Sequence, residues 1–237
     1  MDGTNLPPCS WLVRRGKGRR FLAHKENVTV DLQGIRRQIE RNHFPYHIVK
    51  QQRPPWIRRY PIPGSRMAGL EGGRLFDREV ENALHYDRDH FIFAHLAKHD
   101  LFPVAAKVLV TNAETEGKTK ASCAEIDLVA FNRRTGYFAC VEMKRTTKCM
   151  SDLLKEEERS PRCRRTKRKR HFLDMARLQA QLCAIFLQNT YNLQTVEPYL
   201  LVLSSNADKS AVENVDVLKL ELVDRLNVDW IVGYDEK

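Results

Sequence analysis

The sequence predicts an α/β fold: a central mixed β-sheet flanked by helices, in the order helix, strand, strand, strand, helix, strand. Three observations predict it. Two short apolar runs, 124–131 and 137–144, flank the polar turn Asn132-Arg-Arg-Thr-Gly136, which is the pattern of a β-hairpin. Apolar residues at helical spacing fill 74–85 before the hairpin and 172–191 after it. A further apolar run, Tyr199-Leu-Leu-Val-Leu-Ser204, follows the second helix and is opened by Pro198.

Taken in order, residues 1–65 read as an irregular, basic arm that holds seven of the ten prolines. Paired prolines exclude a regular helix in Arg53-Pro-Pro-Trp-Ile-Arg-Arg-Tyr60. Basic and aromatic side chains alternating there (Arg53, Trp56, Arg58, Arg59) suit phosphate contact with base stacking, or a wrapping arm packed on the core. Val28 to Arg41 suggests a short strand and then a helix, with Ile35 and Ile39 at helical spacing. The glycines of Gly69-Leu-Glu-Gly-Gly73 are expected to punctuate the chain and open the compact domain, 66–237.

Arg74 to His85 then predicts a helix on the stripe Phe76, Val80, Ala83/Leu84. Phe91 to His99 predicts a second helix, stopped by Pro103, and Val104 to Val110 a strand. After the hairpin, 146–170 reads as a hydrophilic insertion. Seven of its last ten residues are basic: Arg162, Arg164, Arg165, Lys167, Arg168, Lys169 and Arg170. Such a block repels itself, so a mobile loop is expected. It suits a phosphate-backbone groove wall, a nuclear import signal, or both. Val215 to Leu226 offers a last strand or short helix.

A length of 237 residues suits one domain with extensions, and a hydrophobic content of 42% supports a core. No run of 18 apolar residues exists, which excludes a membrane-spanning helix, and no secretory h-region opens the chain. The net charge of +10 favours a polyanionic partner, meaning nucleic acid or an anionic membrane. Six scattered cysteines without a CxxC pair point to a reducing compartment inside the cell. The basic block favours the nucleus; the Arg-rich start leaves a mitochondrial address open. A protein partner or a homodimer is also left open.

The hairpin runs carry charges where buried strands should have none. A strand sets residues i and i+2 on one face. Glu142 and Lys144 therefore share a face with Cys140 and Phe138, and Ala139, Val141 and Met143 face a core. On the partner strand Asp127 is expected on one face with Val129 and Phe131, and Ile126, Leu128 and Ala130 on the other. Folding the hairpin would bring Asp127 to Glu142 and Lys144. Unpaired charges there cost several kcal/mol, a cost a divalent cation would offset for the acids. A cross-hairpin salt bridge would explain any one of these residues; the three together point to catalysis.

Asp127, followed 15 residues later by Glu142-Met143-Lys144, resembles the PD-(D/E)xK nuclease superfamily, with Ile126 in place of the usual Pro. The resemblance spans about 70–205 and implies a restriction-endonuclease-like core. It implies Mg²⁺ or Mn²⁺ held by Asp127, Glu142 and the Met143 carbonyl, with Lys144 orienting the water or stabilising transition-state charge. It also implies a 5′-phosphate product. Gly73-Arg-Leu-Phe-Asp-Arg-Glu-Val80 looks like the family's first-helix G-x-x-x-E pattern, which makes Asp77 or Glu79 a further metal ligand. Gln179 matches the Gln of a Q-x-x-x-Y element whose Tyr is replaced by Cys183. A metal-dependent deoxyribonuclease is the leading expectation. The fold also serves as a non-catalytic nucleic-acid-binding subunit, and an RNA endonuclease is the third reading.

Overall fold

The computed structural model describes residues 12–15, 20–25, 28–35, 38–39, 66–87, 89–112, 120–162, 169, 171–205 and 212–222. Its elements are β1 (Leu12–Arg15), β2 (Arg20–Lys25), β3 (Val28–Gly34), α1 (Arg66–Tyr86), α2 (Phe91–Ala97), β4 (Leu101–Thr111), β5 (Lys120–Asn132) and β6 (Tyr137–Thr146). They continue with α3 (Met150–Arg159), α4 (Phe172–Tyr191), β7 (Val196–Ser205) and β8 (Val212–Lys219).

The expected α/β architecture is present. Strands β4 to β8 form a mixed five-stranded sheet in chain order. Pairing is antiparallel throughout except between β6 and β7, which are parallel and joined by the crossover through α3 and α4. The meander β1–β2–β3 extends it, with β3 parallel to the start of β5, to give eight strands. Helices cover both faces. Phe76, Val80, Ile92 and Leu96 of α1 and α2 pack on Leu128, Ala139, Val141 and Leu201. On the other face, Leu178, Leu182 and Phe186 of α4 pack on Ile126, Val129 and Cys140. No described helix is long and apolar enough to cross a membrane.

The sheet corrects the reading of 1–65 as an irregular arm with one short strand. Three strands lie in 12–34, and the prolines that suggested irregular chain all fall outside that range. The strand and helix expected over 28–41 are present as β3 and the buried helical residues Ile35 and Ile39. Helix α1 starts at Arg66 and runs through Gly69, Gly72 and Gly73 instead of beginning after them. Each glycine costs a helix roughly 1 kcal/mol relative to alanine, and the buried stripe of Phe76, Val80, Ala83 and Leu84 outweighs that. Pro103 sits inside β4, at a register shift on a strand that among the described residues pairs with β5 alone.

The first part of the hydrophilic insertion folds as α3, a helix the sequence does not predict. Leu153 and Glu157 lie one turn apart and are both buried. Glu157 accepts two hydrogen bonds from Arg177 Nη1 on α4, at 2.6 and 2.8 Å. Arg177→Ala would leave that carboxylate without its cation. The expected loss is about 2–3 kcal/mol in urea unfolding, below a fully buried pair because Arg177 is 28% exposed. An Arg177→Ala curve superimposing on wild type would show that packing of Leu153 alone holds α3.

Candidate active site

The site forms where the sheet comes apart. The β5–β6 ladder ends at Leu128↔Val141, one residue short of Asp127 and Glu142. The strand beyond is held by a side chain: Met143 N–H donates to Asp127 Oδ2 at 3.0 Å. On the other edge of β5, Ala106↔Leu128 and Val108↔Ile126 are paired, and between them Lys107 adopts a left-handed backbone, φ 53°. That conformation reverses which face the chain presents. Ala106 packs towards α1 and α2, whereas Val108, two residues on, packs towards α4.

The same rung breaks the alternation of β5. Ile126 shares the α4 face with Val129, while Leu128 and Ala130 point the other way. The expectation that Ile126 sides with Leu128 and Ala130 is therefore wrong. A strict period of two does not survive the interruption at Asp127. On β6 the alternation holds, with Ala139, Val141 and Met143 facing α1 and α2 and Cys140 facing α4.

Four elements deliver charge to this rung. Lys107 Nζ of β4 donates at 2.9 Å to Asp127 Oδ1 of β5 and at 2.9 Å to Asp77 Oδ2 of α1. Glu142 of β6 pairs with Lys144, two residues on along the same strand. Burial, then the neighbouring Asp127 charge, raise the Asp77 carboxyl above its ordinary range. Burial works to discharge Lys107, but Asp127 and Asp77 together outweigh it and raise its pKa.

Glu142 is the most constrained of the set. It is 1% exposed, and its Oε2 has no hydrogen-bond partner among the described residues. Burial pushes its pKa up to about 7, with Lys144 opposing and Asp127 assisting. Cys140 and Cys183 lie next to it at the β6–α4 interface, both fully buried with raised pKa. Burial is the main cause for Cys140 and the thiol contact with Cys140 for Cys183.

Of the residues expected at the site, Asp77, Asp127, Glu142, Met143 and Lys144 are gathered here. Glu79 is not: its carboxylate is 58% exposed and lies 3.4 Å from His90 Nε2. Gln179 is half-buried one turn before Cys183, and among the described residues no hydrogen bond joins it to the acids. Lys107 went unnoticed in the sequence. The signal was the one used for the hairpin, a charge within an apolar strand, Val104-Ala-Ala-Lys-Val-Leu-Val110. Arg145 was missed too. It donates from Nε to Ser205 Oγ at 2.9 Å and stacks 5.1 Å over Phe76, in a cleft of about 180 Å³ that also includes Glu79, Phe91 and Val212.

Arg53, Trp56, Arg58, Arg59, Arg164, Arg165, Lys167, Arg168 and Arg170 lie outside the described residues. The two described members of the basic block, Arg162 and Lys169, form an isolated antiparallel bridge. Lys169 Nζ donates to the Glu158 carbonyl at 2.7 Å. Both residues edge a cleft of about 320 Å³ between α3 and α4.

Among the described residues no three His, Cys, Asp or Glu side chains close on one point as a metal cage would. Lys107 stands between two of the acids and Lys144 holds the third. The donor chemistry nonetheless fits a hard cation: all the acids offer oxygen, and one buried carboxylate oxygen is unsatisfied. No protein-family model and no curated protein matches this chain.

Proposed function

We propose that this chain is a metal-dependent nuclease that hydrolyses DNA phosphodiester bonds, with the restriction-endonuclease-like core of the PD-(D/E)xK enzymes. The observation that carries the reading is the parting of β5 and β6 around Asp127, which sets its carboxylate against Met143 N–H beside the buried Glu142–Lys144 pair. The order α1, β4, β5, β6, α4, β7 agrees with that core. The second, buried oxygen of Glu142 has no partner among the described residues, which supports a cation beside the Glu142–Lys144 pair.

Asp77, Asp127, Glu142 and the Met143 carbonyl would hold Mg²⁺ or Mn²⁺. A divalent ion there supplies neutralisation of the scissile phosphate and acidifies a bound water. Asp127 fixes the geometry, because its Oδ2 is tied to the backbone of β6. Lys144, its ammonium kept at the site by Glu142, orients the attacking water or donates to the phosphate oxygen as charge grows. Gln179 would bond the water or a phosphate oxygen from α4. DNA is bound by the net charge of +10 together with the basic arm and the block 162–170, which also suits nuclear import.

The test is cleavage of circular, linear, branched and single-stranded DNA, and of labelled RNA, in Mg²⁺ and in Mn²⁺. Metal-dependent DNA cleavage that falls about 100- to 1,000-fold in Lys144→Ala is expected. Undiminished cleavage by folded Lys144→Ala would defeat the assignment. Cleavage of RNA alone would make it a ribonuclease. DNA binding that needs no metal, with no cleavage of any substrate, would make it a binding subunit.

A further inference from the structure

Lys107 is the least expected member of the site and the one the proposed chemistry does not use. Its ammonium is shared by Asp77 Oδ2 and Asp127 Oδ1, both at 2.9 Å, and its side chain is mostly buried. Asp127 Oδ2 is taken by Met143 N–H, so a cation held by Asp127 would meet the ammonium at Oδ1. Two cations crowded between Asp77 and Asp127 repel each other, so the ammonium and the metal compete for this gap.

The backbone shows that this placement is built in. Lys107 is one of three non-glycine residues with positive φ among those described. A left-handed lysine costs roughly 1–2 kcal/mol and persists only where its surroundings enforce it. The two neighbouring residues, Ala106 and Val108, pack into opposite cores and hold that backbone from both faces. The strain aims the side chain of an edge strand into the gap between α1 and β5.

We propose that Lys107 is a resident counter-ion: it holds Asp77 and Asp127 together in the metal-free protein and is displaced when a divalent cation binds, so that it sets the affinity for metal. The inference rests on the metal-site reading above. Without some cation, two half-buried carboxylates repel each other across the gap. With Lys107 there, the acids are neutralised and already near one another. The flexible four-carbon stem lets the ammonium withdraw without moving the strand. Metal entry then exchanges one cation for another.

Direct binding separates this role from plain structure. Mn²⁺ is titrated by calorimetry into wild type, Lys107→Met and Lys107→Arg, each shown to be folded by circular dichroism. Lys107→Met is expected to bind Mn²⁺ about tenfold more tightly, since no charge competes for the oxygens. Lys107→Arg, which keeps the charge, is expected to stay near wild type. Without metal the thermal midpoint of Lys107→Met falls, and saturating Mn²⁺ restores it. If the methionine variant does not fold, Lys107→Gln, uncharged but still a donor, takes its place. Equal or weaker binding by the uncharged variants would overturn the inference and leave the metal site standing. No Mn²⁺ binding by any variant would overturn both.

Discussion

Asparagine at position 127 is expected to abolish cleavage while leaving the fold nearly intact, whereas alanine damages both. Asp127 has two structural bonds: one oxygen accepts Met143 N–H and the other accepts Lys107 Nζ. An asparagine carbonyl can still take the Met143 bond, and Lys107 keeps Asp77 but turns from the amide donor that replaces Oδ1. Its cost to folding is therefore about 1–2 kcal/mol. Alanine leaves the Met143 N–H without its partner where the β5–β6 ladder has ended, and the expected cost rises to about 2–4 kcal/mol. Function does not follow that order. Neither residue offers a carboxylate, so both should lower single-turnover DNA cleavage by about 1,000-fold. Urea unfolding and single-turnover rates measured together check the split. If Asp127→Asn keeps wild-type rates, Asp127 is a strand clamp and nothing more.

The framework was legible in the sequence because burial writes itself into periodicity. β6 kept a strict period of two, and α4 began and ended as its stripe and flanking polar residues indicate, closing at the left-handed Asn192. What escaped notice depended on partners distant in sequence. Nothing near Glu157 announces that it is buried. Its burial depends on Arg177, 20 residues away, so the sequence marks 150–159 only as part of a hydrophilic insertion. The reversal of faces at Ile126 falls on the same rung as the left-handed Lys107 of β4, and no side-chain pattern in β5 encodes it.

The site shows the same division. Asp127, Glu142 and Lys144 could be found as charges on apolar runs. The choice between Asp77 and Glu79 could not be made, because both lie on the same helix and differ only in what faces them. Folding puts Lys107 before Asp77 and His90 before Glu79. A local pattern can nominate an acid, but only the tertiary neighbour decides which acid enters the site.

Glu142 carries the last large effect, and its sign is opposite to that of an ordinary paired carboxylate. Its pKa in the folded protein, about 7, lies above the 4.5 of a free glutamate, with burial as the chief cause. Between those values the folded chain holds a proton that the unfolded chain has released. Stability therefore falls as pH rises through that window and stays lower above it. Asp77, also raised, acts in the same direction. Glutamine at 142 keeps the shape and never ionises. In a chelator, wild type is expected to lose about 2–3 kcal/mol more than Glu142→Gln between pH 5 and pH 8, read from urea unfolding at each pH. Parallel curves would mean that Lys144 fully compensates the buried charge. Excess Mn²⁺ at pH 8 should return the lost stability to wild type and give Glu142→Gln much less. The destabilising carboxylate is then the one a cation rescues, which a residue kept only for its salt bridge would not show.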